Sequence, residues 1–191
     1  MRPADLRKLP MPAADHQFSY GDDPNQIGEL RLPPRPGPHP VVVLVHGGCF
    51  QPGGARYPAA MGDTLKSDGI ASWNIEYRRL GQPGGGWPGA RISTSGRAID
   101  YLRGLAAPHK LDPNRVVVLG HPAGGHLTHV GGNTAANRPE GVHCSSRSRC
   151  HSRVINLAGP IDVTANIEHY EETCRGPVVT RMLGGPPGSG S

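Results

Sequence analysis

Two runs of β-branched apolar residues, each stopped by glycine, constrain this chain more than any other feature. They are "VVVLVHGG" (41–48) and "VVVLG" (116–120). Both carry apolar side chains on both faces of an extended backbone. Such a strand is stable where both faces are covered, as they are inside a parallel sheet. The glycines then end each run at a turn. Three further stretches read as strands. In "QIGELRLP" (26–33) Ile27, Leu30 and Leu32 interleave with polar residues before a proline. "ASWNIEYR" (71–78) and "RVINLAGPIDV" (153–163) are the others. Between them, "SGRAIDYLRGLAA" (95–107) places Ala98, Ile99, Leu102 and Leu105 at helical spacing, with Arg97 and Arg103 turned outward. Strands alternating with helical stretches predict an α/β domain built on a parallel sheet.

The 191 residues are enough for one domain with its own core. With 28 Gly and 21 Pro, much of the chain must be turn and loop. "PPRPGPHP" (33–40) reads as a stiff extended connector. "GQPGGGWPG" (81–89) reads as a loop, because that density of Gly and Pro suits neither helix nor strand. A helix is expected after Gly120, supported from Ala123 to His129. Gly131-Gly132 should end it, since each glycine costs a helix about 1 kcal/mol. The remainder of 128–153 has little apolar periodicity and is expected to be irregular. The division that follows is an extended or disordered segment 1–19, a domain 20–183 and a disordered tail 184–191.

Charge and cysteine content narrow the function classes. The formal net charge is +5, but it is scattered. Only Arg147, Arg149 and Arg153 cluster, and no Phe or Trp lies among them to stack on bases, so nucleic acid is not an expected partner. No apolar run approaches the roughly 20 residues of a membrane span, and no membrane partner is expected. The opening "MRPADLRKLPMPAADHQ" lacks the apolar segment of a secretory signal, which points to the cytoplasm. There, Cys49, Cys144, Cys150 and Cys174 are expected as free thiols. "HCSSRSRCH" (143–151) pairs Cys with His symmetrically, yet its spacing fits neither C-x2-C nor H-x3-H. It reads as a polar loop, and neither metal nor cofactor is expected.

Two motifs carry chemistry. His46-Gly47-Gly48-Cys49-Phe50 directly follows the first apolar run, and Gly120-His121-Pro122-Ala123-Gly124-Gly125-His126-Leu127 follows the second. In order and placement they resemble the α/β-hydrolase fold family, in its serine esterase and lipase (acylaminoacyl-peptidase-like) branch. The first motif looks like the HGG oxyanion loop, the second like the nucleophile elbow G-x-S-x-G. "WNIEYRR", "GGGWPG" and "RAIDYLR" add to the likeness, which spans Tyr20 to Leu127 and resumes over Val154 to Leu183. The resemblance implies hydrolysis of a carboxylic ester or amide through an acyl-enzyme. It also implies an oxyanion hole of backbone N–H groups at Gly47, Gly48 and Ala123.

The nucleophile position is Pro122. Proline has no hydroxyl and holds φ near about −65°, so it removes the attacking atom and relaxes a strained turn. It suits the start of a helix. His121 and His126 flank the nucleophile in the resembling motif and are structural there. Cys49 is expected as a small buried hydrophobe beside the loop rather than a nucleophile. Asp162 follows a strand, but in this family the triad acid lies later. The strands that carry the acid and the histidine are not recognisable after Leu183. The expectation is therefore a partial, mostly parallel α/β-hydrolase fold that is catalytically inactive, a pseudoenzyme. Its alternatives are a non-catalytic module binding a small acyl, ester or carboxylate ligand, or a gene remnant without function. The strand near Val154–Ala158 should then lie at a sheet edge, where self-association is invited.

Overall fold

The computed structural model describes residues 12–51, 57–81, 88–133 and 153–183. Within them the order of elements is β1 (His16–Ser19), β2 (Ile27–Arg31), β3 (His39–Val45), α1 (Tyr57–Ser67), β4 (Ala71–Ile75) and α2 (Pro88–Ala106). It continues with β5 (Leu111–Gly120), α3 (Ala123–Asn133), β6 (Arg153–Asn156), α4 (Ile167–Cys174) and α5 (Val178–Leu183). The strands form one sheet in the order β1-β2-β4-β3-β5-β6. Pairing is antiparallel on both sides of β2 and parallel at every other junction, so only β2 runs against the rest.

β3 lies at the centre, as its doubly apolar pattern requires. Val43 faces Trp73 of β4 on one side and Val118 of β5 on the other. Val41, Val43, Leu44 and Val45 are each at most 1% exposed. Burying side chains of this kind contributes about 1.5–3 kcal/mol apiece. Trp73 joins the sheet to α2: its indole N–H donates to the Ala98 carbonyl at 3.0 Å, and its ring stacks near Tyr101. Leu102, Leu105 and Ala98, picked out by their helical spacing, are buried on that helix.

Several boundaries differ from the sequence expectation. β1 lies inside the segment 1–19, where it pairs His16 with Leu30 and Ser19 with Ile27. α1 has no counterpart in the sequence reading. α2 begins at Pro88, within the stretch read as loop; proline is tolerated in a first helical turn because that N–H has no helical partner anyway. α3 continues to Asn133, through Gly131-Gly132, because packing against β5, β6 and α2 offsets the weak propensity. β6 is shorter than the apolar run suggested. It ends at Asn156, whose side chain pairs with both backbone groups of Gly159, at 2.7 Å and 3.1 Å, and turns the chain. β6 does lie at the edge of the described sheet. The stretch beyond 133 that is expected to be irregular, the Cys/His run 143–151 and the segment 184–191 fall outside the described residues.

Candidate active site

The two glycine-stopped strands bring the two motifs together. β3 and β5 are neighbours in register, Val45 beside Gly120, so their C-terminal turns emerge side by side. The His121 N–H donates to the Val45 carbonyl at 3.1 Å and fastens the second turn to the first. Contact is close enough to demand glycine. A Cβ on Gly47 would stand 2.5 Å from Pro122 Cδ and 2.7 Å from the His121 carbonyl oxygen. A Cβ on Gly124 would overlap the Val45 carbonyl oxygen. Gly47 therefore abuts Pro122, and the proline ring occupies the ground in front of the loop.

The loop itself is an unusual turn. Gly48, Cys49 and Phe50 all have positive φ, at 114°, 54° and 57°. The Gln51 N–H closes the turn on the Gly48 carbonyl at 2.8 Å, and the Leu80 N–H donates to the Phe50 carbonyl at 2.7 Å. Beneath it lies a polar network that the sequence reading missed. His46 is fully buried, stacks on Tyr77 at 4.4 Å between centroids, and sets Nε2 2.8 Å from Glu76 Oε1. The Tyr77 hydroxyl donates to the His46 carbonyl at 3.0 Å. Arg79 forms an ion pair with Glu76, and the Tyr20 hydroxyl donates to the Glu76 carbonyl. Burial pushes the Glu76 carboxyl up; hydrogen bonds with His46 and Arg79 outweigh it, and it sits below the usual glutamate value. The β3–β4 register brings the pair together: Val45 and Ile75 are partners, so the next residues, His46 and Glu76, emerge side by side.

At the elbow, α3 starts at Ala123 with Pro122 at the preceding position. The His126 N–H donates to the Pro122 carbonyl at 3.1 Å, and the Gly124 N–H to the His121 carbonyl at 3.1 Å. Residue 122 is not among the positive-φ residues, so the turn has the relaxed form expected of proline. The N–H groups of Gly48 and Ala123 donate to no group among the described residues. His126 is buried, contacts the Pro160 carbonyl through Nδ1 at 3.0 Å and meets Phe50 edge-on. Burial lowers its pKa, against smaller upward effects of Pro160 and Asp162. Burial likewise lowers His121. Asp162 builds a turn, accepting from the Thr164 and Ala165 amides and the Thr164 hydroxyl. Those hydrogen bonds keep its carboxyl low.

One sequence expectation is overturned here. Cys49 is neither a free thiol nor an isolated hydrophobe: it is disulfide-bonded to Cys174 at the end of α4, with Cα atoms 5.7 Å apart. That distance lies in the range a disulfide spans without backbone movement. Nothing local in the sequence announces a pairing across 125 residues. Cys144 and Cys150 lie outside the described residues. No helix among the described residues is long and apolar enough to cross a membrane.

The family model BD-FAE matches residues 29–190. A protein of Oryza sativa subsp. japonica, "Probable isoprenylcysteine alpha-carbonyl methylesterase ICME", is 27% identical over 155 residues, covering 80% of this chain and 37% of its own. Esterase LipC of Mycobacterium tuberculosis (strain ATCC 25618 / H37Rv) is 32% identical over 137 residues, 66% of this chain and 33% of its own. Among solved structures, the bifunctional GH43-CE of Bacteroides eggerthii superposes with a TM-score of 0.67 at 25% identity, over 92% of this chain and 25% of that one. Thermogutta terrifontis esterase 2 phosphonylated by sarin superposes with a TM-score of 0.56 at 24% identity, over 64% of this chain and 45% of that one. The chain thus spans little more than a third of these curated relatives. Matched by the family model over most of its length, the chain belongs to the BD-FAE family, and its fold is that of the esterase-type α/β-hydrolases.

Proposed function

We propose that this chain carries the oxyanion loop and elbow of an esterase site and performs no acyl transfer at that elbow. The observation that carries the reading is Pro122. It stands at the head of α3, against Gly47, where the reaction needs a hydroxyl. Gly47, Gly48 and Ala123 would present the oxyanion N–H groups. His121 and His126 shape the turn. Purified protein is expected to take up no fluorophosphonate probe and to hydrolyse short acyl esters at the buffer rate. Stoichiometric labelling of any serine overturns the reading.

The uncommitted N–H groups of Gly48 and Ala123 favour a second reading, a binder of short acyl or carboxylate ligands. Butyrate would then raise the melting temperature in a saturable way that chloride at equal ionic strength does not reproduce. For the compartment we keep the cytoplasm. Disulfides in that compartment are rare and, where present, usually transient, catalytic or redox-sensing.

A further inference from the structure

The oxyanion-type loop is held by a covalent bond that the rest of the site does not need. Cys49 lies between Gly48 and Phe50 in the run of positive φ, a backbone region that side-chain-bearing residues leave when they are free to do so. Its sulfur is joined to Cys174, the last residue of α4. α4 buries none of its own residues. The short α5 inserts Val178, Val179 and Met182 into the core, and the Glu171 carboxylate accepts the Thr180 N–H at 2.9 Å, so α4 and α5 move as a pair. The turn has other restraints, the Leu80 and Gln51 hydrogen bonds and the buried Phe50 ring. α4 rests on the partly buried Ile167, Tyr170 and Cys174 and on its tie to α5. Both cysteines are half-buried and packed against the core.

We propose that Cys49–Cys174 is a redox-sensitive clamp that holds the Gly47–Gln51 loop in its turn and keeps α4 and α5 docked beside it. In the oxidised form the turn is over-determined and the two loop N–H groups stay in place. A dithiol reductant opens the clamp in two exchanges. A reductant thiolate attacks one sulfur and forms a mixed disulfide, expelling the other cysteine as thiolate. The second reductant thiolate then displaces the remaining cysteine. The Cys49–Cys174 bond is broken, both cysteines take up the two protons that the reductant thiols gave up, and the reductant leaves as its own disulfide. The covalent restraint on Cys49 is then gone, the turn is left to the Gln51 and Leu80 hydrogen bonds and the buried Phe50 ring, and α4 leaves the loop. The proposal takes its functional meaning from the esterase-type reading, but its test does not depend on turnover.

Hydrogen exchange of the full chain, oxidised and after dithiothreitol, provides that test. A staple acting only on the unfolded chain would lower protection by one factor in the core amides that exchange by global unfolding, and would leave locally opening amides unchanged. The clamp predicts a differential: the Gln51 and Leu80 amides, which close the turn, and the amides of 167–183 lose about ten-fold more protection than those of β3 and β5. The double variant Cys49→Ser/Cys174→Ser should match reduced wild type and ignore dithiothreitol. A uniform loss, no loss, or a dithiothreitol response in the double variant would each overturn the clamp. So would alkylation of both Cys49 and Cys174 in oxidised protein, read by peptide mapping. Fluorophosphonate labelling overturns the esterase-type reading and leaves these outcomes untouched.

Discussion

At residue 122 a single side chain decides the chemistry. Its pyrrolidine ring lies against Gly47, and its carbonyl accepts the first turn of α3. Pro122→Ser would place a hydroxyl there without giving it a base. His126 has its Nδ1 at the Pro160 carbonyl and its ring edge-on to Phe50. An unassisted serine is a weak nucleophile, so kcat/KM for a short acyl ester should stay far below the roughly 10⁴ M⁻¹s⁻¹ of an ordinary enzyme. Reaching that value would mean that a histidine such as His126, His129 or His169 serves as base, with Asp162 the acid to test. Gly124 is equally exacting, for steric reasons. Gly124→Ala drives a methyl into the Val45 carbonyl and should cost about 1–3 kcal/mol in urea unfolding, the range for overpacking. An unchanged urea midpoint would show that β3 and α3 can separate without cost.

Among the described elements, β6 sets large apolar side chains in solvent at a sheet edge. Val154 and Ile155 are 38% and 44% exposed, and Leu157 and Ile161 follow them on the same border. The Leu157 N–H donates to the Gly120 carbonyl, so Ile155 and Leu157 turn their peptide groups toward β5. Val154 and Asn156 turn theirs outward, because backbone direction alternates along a strand. We propose that two copies of the chain meet here, edge to edge. Antiparallel pairing about a two-fold axis sets Val154 opposite Asn156 of the second copy and Ile155 against its own mate. Arg153 then faces Leu157, and no like charges oppose. Light scattering is expected to show dimers or larger species whose share rises with concentration. Ile155→Lys should return the protein to monomer, since a charge on an edge strand blocks such pairing. A concentration-independent monomer in the wild type would exclude the contact.

Across the whole molecule, acid is the expected weakness. Burial lowers the pKa of His39, His109, His121 and His126, with neighbouring positive charge adding to the effect at His39 and His109. The unfolded chain protonates these groups near about 6.5 and the folded chain resists, so unfolding takes up protons as pH falls through that value. Stability is therefore complete above the ordinary histidine range and declines below it. Glu76 adds a second stage. Its carboxyl lies below the usual value, so its contribution is present above about 4.5 and is lost as the pH falls further. Urea midpoints should fall between pH 7.5 and pH 5.5, and His126→Gln should flatten that slope. A midpoint independent of pH over this range would refute the assignment.

Much of this was legible in the chain itself. Val41–Val45 and Val116–Leu119 are apolar on both faces, which determines strands inside a parallel sheet; the first run is largely buried, whereas Val116, Val117 and Leu119 are only partly so. The glycines after them determine the turns. Pro122 carries no hydroxyl, a covalent fact that no packing restores, and the proposed loss of the nucleophile rests on it. The sequence reading stops short at Gly131-Gly132, through which α3 continues, and at Pro88, which the first turn of α2 tolerates. Other features depend on the path of the chain between distant residues, and local pattern holds no record of that path. The His46–Glu76 contact needs the β3–β4 register, 30 residues apart in sequence. Four cysteines allow three complete pairings, and nothing in their spacing selects Cys49 with Cys174. Only the tertiary fold does so, by bringing two Cα atoms within 5.7 Å across 125 residues.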